Sequence, residues 1–218
     1  MLKRVLPVIV LFVAIACALQ ASAQSPGFTP PSSPNVPKYD GDKLIFPDGF
    51  RTNWMFVGSN FGLQYKGEGG ALLGTGHTIT PGPQGAFHNV YITPESYAGF
   101  RASKTAFPDR TILVIDIYSA DPKKPDKIVA KGFFDGDQQG ALVAVKDSTH
   151  TYGSGDTKSI WSYYVFSDKD IAKPGSKESW PKPEVEAQCI ACHKKNGLVD
   201  NVWVQFYPML RDLLKSGS

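Results

Sequence analysis

Cysteine is scarce in this chain. There are three in 218 residues, Cys17, Cys189 and Cys192. That is too few for a disulfide framework, so any fold must rest on its own core. Histidine and methionine are nearly as rare, at four and three. His77, His88 and His150 stand at no spacing that would complete a four-ligand zinc site with the cysteines. Charge of one sign is also lacking. The net charge is +3 and no basic stripe runs along the sequence, so nucleic acid is not a partner it suggests. There are no internal repeats and no coiled-coil heptads. What is present is an aromatic share of 12 %, much of it inside strand-like runs, and enough length for one domain with a sizeable core.

The one long apolar run is at the start. Lys3 and Arg4 precede Val5 to Leu19, and Ala21-Ser22-Ala23 follows as a small-residue cleavage site. This is the three-part layout of a secretory signal, and the run is short for a membrane span. The expectation is a signal peptide over 1–23, a mature chain from Gln24, and a periplasmic or secreted location. A lesser alternative is lipid attachment at Cys17 after Ala14-Ile15-Ala16. Residues 24–38 carry Pro26, Pro30, Pro31, Pro34 and Pro37 and read as a linker. The folded domain is then 39–218.

Removal of the leader leaves two cysteines, both inside Cys189-Ile190-Ala191-Cys192-His193. C-x-x-C-H is the attachment pattern of c-type haem. Two thiols three apart on one helical turn become thioethers on the haem vinyl groups, and the adjacent imidazole becomes the proximal iron ligand. One covalently held haem c is the cofactor expected, with Cys189, Cys192 and His193 binding it and His193 on the metal. The competing readings are a lone Cys189–Cys192 disulfide or a thioredoxin-like pair. A thioredoxin-like pair stands early in its fold, whereas this one is near the C-terminus and runs straight into His193.

Strands are expected at 51–57, 87–92, 111–119, 127–134, 140–146 and 161–166, with Asp121 to Asp126 as a hairpin loop and Asp135-Gly136-Asp137 as a turn. Phe61 to Gly85 is too rich in glycine for regular structure. Thr93-Pro94-Glu95 opens a helix to about Ser103, with Thr93 as its cap. A helix over 184–195 carries the cysteines and is capped by Gly197, and a final amphipathic helix over 202–215 is interrupted at Pro208. The fold class is α+β: a mainly antiparallel sheet or partial barrel, then a haem-bearing helix and the last amphipathic helix.

Several pieces resemble the cytochrome P-460 family, which includes the β-type cytochromes c′. They are Phe50-Arg51 with Trp54 and Val57-Gly58, Val90-Tyr91-Ile92 with Pro94 to Tyr97, Phe107-Pro108-Asp109, Lys146-Asp147-Ser148, Trp161 with Phe166, and Cys189 to Lys194 with Phe206-Tyr207-Pro208. The resemblance runs from about Phe50 to Leu214. It implies a β-sheet fold, often a homodimer, with one haem on a sheet face and a five-coordinate iron. Members that oxidise hydroxylamine cross-link a lysine to the haem from a strand that here reads Thr111 to Asp116. The lysine position corresponds to Ile115, which cannot make that link; Lys104 and Lys131 stand nearby in sequence as ordinary surface lysines.

Two residues are candidates for the distal side of the iron. His88 could hydrogen-bond a ligand or move protons, or simply face solvent. Asp116, in an otherwise apolar strand, could donate a proton or pair with Arg101 or Arg110. Met55 and Met209 are expected as core filler rather than a sixth ligand, His77 and His150 as surface residues, and Lys146-Asp147-Ser148 as turn chemistry. The function expected first is a mono-haem cytochrome that binds small ligands such as nitric oxide. The second is an oxidoreductase acting on hydroxylamine or nitric oxide. The third is a six-coordinate electron carrier with a periplasmic redox partner.

Overall fold

A computed structural model of the chain describes residues 35–63, 85–122, 128, 130–151, 158–173, 175, 177–178 and 183–216, without side chains for 122, 177–178 and 183–188. The chain divides into two compact units, Met1–Pro30 and Pro31–Ser218, and every described residue belongs to the second. The signal peptide, Cys17, most of the proline-rich linker, His77, nearly all the glycine-rich segment and most of the Asp121–Asp126 loop lie outside the described residues.

Two short strands, β1 (Tyr39–Asp40) and β2 (Lys43–Ile45), lead into a one-turn helix α1 (Phe50–Asn53). The main sheet follows in β3 (Met55–Phe61), β4 (Ala86–Ile92), β5 (Ile112–Pro122), β6 (Phe133–Lys146) and β7 (Trp161–Ser167). Helix α2 (Pro94–Ser103) lies between β4 and β5. After β7 come α3 (Asp168–Ile171), β8 (Lys177–Glu178), α4 (Pro183–Asn196), a 3₁₀ turn at Val204–Phe206 and α5 (Pro208–Lys215). The main sheet has the order β3-β4-β5-β6-β7, antiparallel throughout, and its described strands do not close into a barrel. β1, β2 and β8 form a separate small sheet. This is the α+β, mainly antiparallel class expected, in its open form.

Strand alternation gives the sheet two buried faces. On one face Ile112, Val114, Val143, Val145, Tyr164 and Phe166 pack under Leu44, Phe46, Phe50 and Trp54 from the N-terminal segment. On the other, Val57, Val90, Ile92, Leu113 and Trp161 pack under Phe100 of α2, Phe107, and the C-terminal residues Val202, Val204, Tyr207 and Leu210. The central strand β5 is apolar on both sides because both sides are covered. Phe100 and Phe107 stack at 4.3 Å and 6°. Each is buried and contributes about 1.5–3 kcal/mol by leaving water.

Helix α2 begins as expected: the Ser96 N–H donates to Thr93 Oγ1 at 3.3 Å and Pro94 occupies the first turn. Four expectations need correction. Residues 50–53 are helical rather than the start of a strand, because Phe50 turns inward under β4 and β6 from a short helix. Of the predicted strand 127–134 only Phe133 and Phe134 are strand, and they run on into the predicted strand 140–146 as one long strand, β6, while the described residues 128 and 130–132 are not strand. Asp135-Gly136-Asp137 is a register irregularity within it. Gly136 makes this possible, since a Cβ there would collide with the side chains of Ser119 and Asp121 on β5. The predicted hairpin begins later than expected, since Asp121 and Pro122 still belong to β5. The final helix starts at Pro208 rather than at 202, with proline at its first position.

Candidate functional site

Helix α4 carries Cys189, Cys192 and His193 at positions i, i+3 and i+4, so all three fall near one face. Cys189 and His193 line an apolar cavity of about 130 Å³ between α4, the chain around Asn201 to Trp203, and the sheet. One water needs about 10–15 Å³ and several polar partners, so this space is both too large and too apolar to be a water site. Its sheet wall is Leu113 and Ile115 of β5, Leu142 and Ala144 of β6, and Tyr163 and Val165 of β7, alternate residues that share one face. Ile115, half-buried inside a strand of buried residues, is less covered because it faces the cavity. Cys192 is not part of the cavity lining; its sulfur accepts from Asn196 Nδ2 at 3.4 Å.

The imidazole of His193 is fixed on three sides. It stacks on the Trp203 indole at 4.7 Å and 7°, and lies against the Tyr163 ring at 4.3 Å. Its Nδ1 is 2.8 Å from the Asn201 carbonyl oxygen. A carbonyl only accepts, so Nδ1 carries the proton and Nε2 keeps its lone pair. Burial lowers the His193 pKa, with the Asn201 carbonyl opposing it, so the ring is held neutral. A neutral imidazole with a fixed tautomer and an unused Nε2 is the form that binds a metal. Thiols at helical spacing beside such a ring, above an apolar sheet face with aromatic walls, fit a covalently attached haem.

A second, smaller cavity adjoins the first and shares Ile115, Leu142, Trp203 and Tyr207 with it. His88 of β4 lines it, together with Asn60 and Val90. His88 therefore points to the same sheet face as Ile115, not to solvent. Among the described residues its Nδ1 has no hydrogen-bond partner. Burial lowers its pKa, the Asn60 backbone opposing weakly. Met55 and Met209 line neither cavity; Met55 packs in the sheet core and Met209 is exposed on α5.

A family model for cytochrome P460 matches residues 47–204. The chain belongs to the cytochrome P460 family. It matches none of the curated proteins. The family implies haem binding, in agreement with the donor set around His193.

Asp116 is a different case from His88. It is fully buried but on the opposite face of β5, where Ile112 and Val114 also point. Arg51 of α1 clamps it with two bonds, Nε to Oδ2 at 2.6 Å and Nη2 to Oδ1 at 3.0 Å, and Gln138 Nε2 donates to Oδ1 at 2.5 Å. The hydrogen bond to Asp116 raises the Arg51 pKa while partial burial opposes it. Asp116 therefore lines neither cavity and serves as a buried anchor for α1. Its partner is Arg51 rather than Arg101 or Arg110, because residues 50–53 form a short helix, not the strand expected there, and Arg51 reaches Asp116 from it. His150 is half-buried rather than a surface residue, stacked on Tyr39 at 3.8 Å. Lys104 and Lys131 line neither cavity.

Sequence reasoning missed Trp203, Tyr163 and the Asp200-Asn201 turn. Asp-Asn between Val199 and Val202 is a hairpin-turn signature that could have located the turn. Nothing in the local sequence marks Trp203 as the ring under His193.

Proposed function

We propose that this protein is an exported mono-haem c-type cytochrome that binds small ligands such as nitric oxide. In this reading Cys189 and Cys192 form the thioethers and His193 is the proximal ligand. Bound there, the haem supplies an iron with one open coordination position. The observation that carries the reading is the meeting of Cys189 and the neutral, Nδ1-bonded His193 in one apolar cavity. Two further facts support the open position. Neither Met55 nor Met209 lines the cavities, and the neighbouring space of about 20 Å³ is walled by Val90, Ile115 and Leu142 with His88 and Asn60 as its polar residues. Ile115, at the position of the cross-linking lysine in hydroxylamine-oxidising members, supports a haem bound without that link. The leader over 1–23 supports export to the periplasm, where a redox partner and a second copy of the chain are the expected associates.

One observation favours a second reading, an oxidoreductase that converts hydroxylamine or nitric oxide. His88 lines the second cavity, burial lowers its pKa against the Asn60 backbone bond, and its Nδ1 has no partner among the described residues, so it could take a proton there. Steady-state turnover of purified haem-loaded protein with hydroxylamine and an electron acceptor separates the two. Ligand binding without turnover supports the first reading; turnover that His88→Gln abolishes supports the second.

A further inference from the structure

A part-buried ion pair lies one residue from the carbonyl that holds His193. Lys146, at the end of β6, is buried, and its Nζ donates to Asp200 Oδ2 at 2.8 Å and to the Phe107 carbonyl at 2.6 Å. Asp200 Oδ2 also accepts the Phe107 N–H at 2.9 Å, and Oδ1 accepts Trp161 Nε1–H at 3.4 Å. Asp200 and Asn201 both have left-handed backbone, φ 49° and 63°, between Val199 and Val202, which bond to each other across the turn. Asp and Asn suit the left-handed backbone of such a turn, and the side chain of Asp200 is free to tether it to its surroundings. Asp200 is the point at which it is held.

An ion pair in such a place is not needed for stability alone, since apolar residues of the same volume would serve as well. What the pair adds is direction. It ties the turn to β6, to β7 through Trp161, and to the chain at Phe107. Asn201, next in sequence, then presents its carbonyl to His193 Nδ1 at 2.8 Å. Gly197 closes the other side: a Cβ there would stand 2.5 Å from the Asn201 carbonyl carbon and 2.7 Å from the His193 oxygen. The helix end and the turn are thus in direct backbone contact.

We infer that Lys146 and Asp200 are positioning residues for the iron ligand, acting through the Asn201 carbonyl to fix the tautomer, orientation and basicity of His193. This rests on the haem reading above. A stronger hydrogen bond at Nδ1 makes Nε2 a better donor, which favours the ferric over the ferrous iron and lowers the reduction potential.

The test uses haem-loaded full-length protein with Asp200→Gly, Asp200→Asn and Lys146→Met. Asp200→Gly keeps a turn that glycine tolerates while cutting every tether, so it separates the tether from the fold. The readouts are the iron–histidine stretching band of the ferrous protein, the midpoint potential, and the melting temperature. The expected result is a lower stretching frequency and a more positive potential in Asp200→Gly, with smaller shifts of the same sign in Asp200→Asn and Lys146→Met. Variants that melt earlier but keep the wild-type band and potential would make the pair structural only and overturn the inference. A wild type with no iron–histidine band would remove the five-coordinate, His193-ligated haem on which the inference rests, a result distinct from a wild-type band that the variants leave unmoved.

Discussion

Arg51→Met is the perturbation that best separates the two faces of the sheet. Asp116 is fully buried and accepts two hydrogen bonds from Arg51. Removing Arg51 leaves a carboxylate in the core with the Gln138 amide and the Tyr118 hydroxyl as its hydrogen-bond donors. Breaking a fully buried pair costs about 3–5 kcal/mol. Arg51 is itself 40 % exposed, so water recovers part of the loss, and the expected cost is about 2–3 kcal/mol. For a chain of this size each kcal/mol moves the melting temperature by about 2–4 °C, giving a fall of roughly 4–12 °C. Replacing both partners with apolar residues, Arg51→Met with Asp116→Leu, should recover most of it, because no unpaired charge is then buried. Thermal unfolding followed by circular dichroism measures the loss, and the optical spectrum with nitric oxide reads the site. The haem spectrum and the nitric oxide response should match wild type in Arg51→Met and in Asp116→Asn, since both residues lie on the far face. A stable Arg51→Met variant, or an Asp116→Asn variant with altered ligand binding, would refute the reasoning and return Asp116 to the distal side.

Gly197→Ala places a methyl carbon against the Asn201 backbone; it should destabilise the protein by about 1–3 kcal/mol in urea titration and weaken the His193 bond. His88 titrates lower in the folded protein than in the unfolded chain, where its pKa is about 6.5. The unfolded state therefore binds the proton first, and stability is lost as pH falls from about 6.5 through the depressed folded value. His88→Gln should flatten that part of the stability–pH curve, measured by urea unfolding between pH 5 and 8; an unchanged slope would count against a neutral buried His88. Cys189→Ser with Cys192→Ser should abolish haem retention on a denaturing gel, and each single variant should keep one thioether, seen as a shifted haemochrome band. Persistence of covalent haem in the double variant would remove both residues from the attachment site.

The sequence made the centre of this molecule legible and left its edges obscure. Thr111 to Ser119 reads as a strand apolar on both faces except at Asp116, and Ile112–Pro122 is that strand. Thr93-Pro94 opens α2 because the cap and the proline are local chemistry. Cys189 to His193 sits on the predicted helix. Long-range partners were harder. Asp116 shows as a charge in an apolar run, but which arginine meets it depends on how α1 folds back, and Arg51 is 65 residues away. Lys146 and Asp200 are 54 residues apart and look like turn residues until β6 and the 199–202 turn are brought together. Strands at 127–134 and 140–146 are expected in place of the single strand 133–146 because Asp-Gly-Asp is a turn signal in isolation. Here the facing Ser119 and Asp121 make it a bulge instead.

The most direct test of the account is the optical spectrum of purified haem-loaded protein, ferric and ferrous, with and without nitric oxide. The account predicts an ordinary high-spin ferrous band, not shifted far to the red, that changes when nitric oxide is added. A far-red ferrous Soret band would mean a cross-linked macrocycle and contradict the argument from Ile115. A low-spin spectrum indifferent to nitric oxide would contradict the open iron itself.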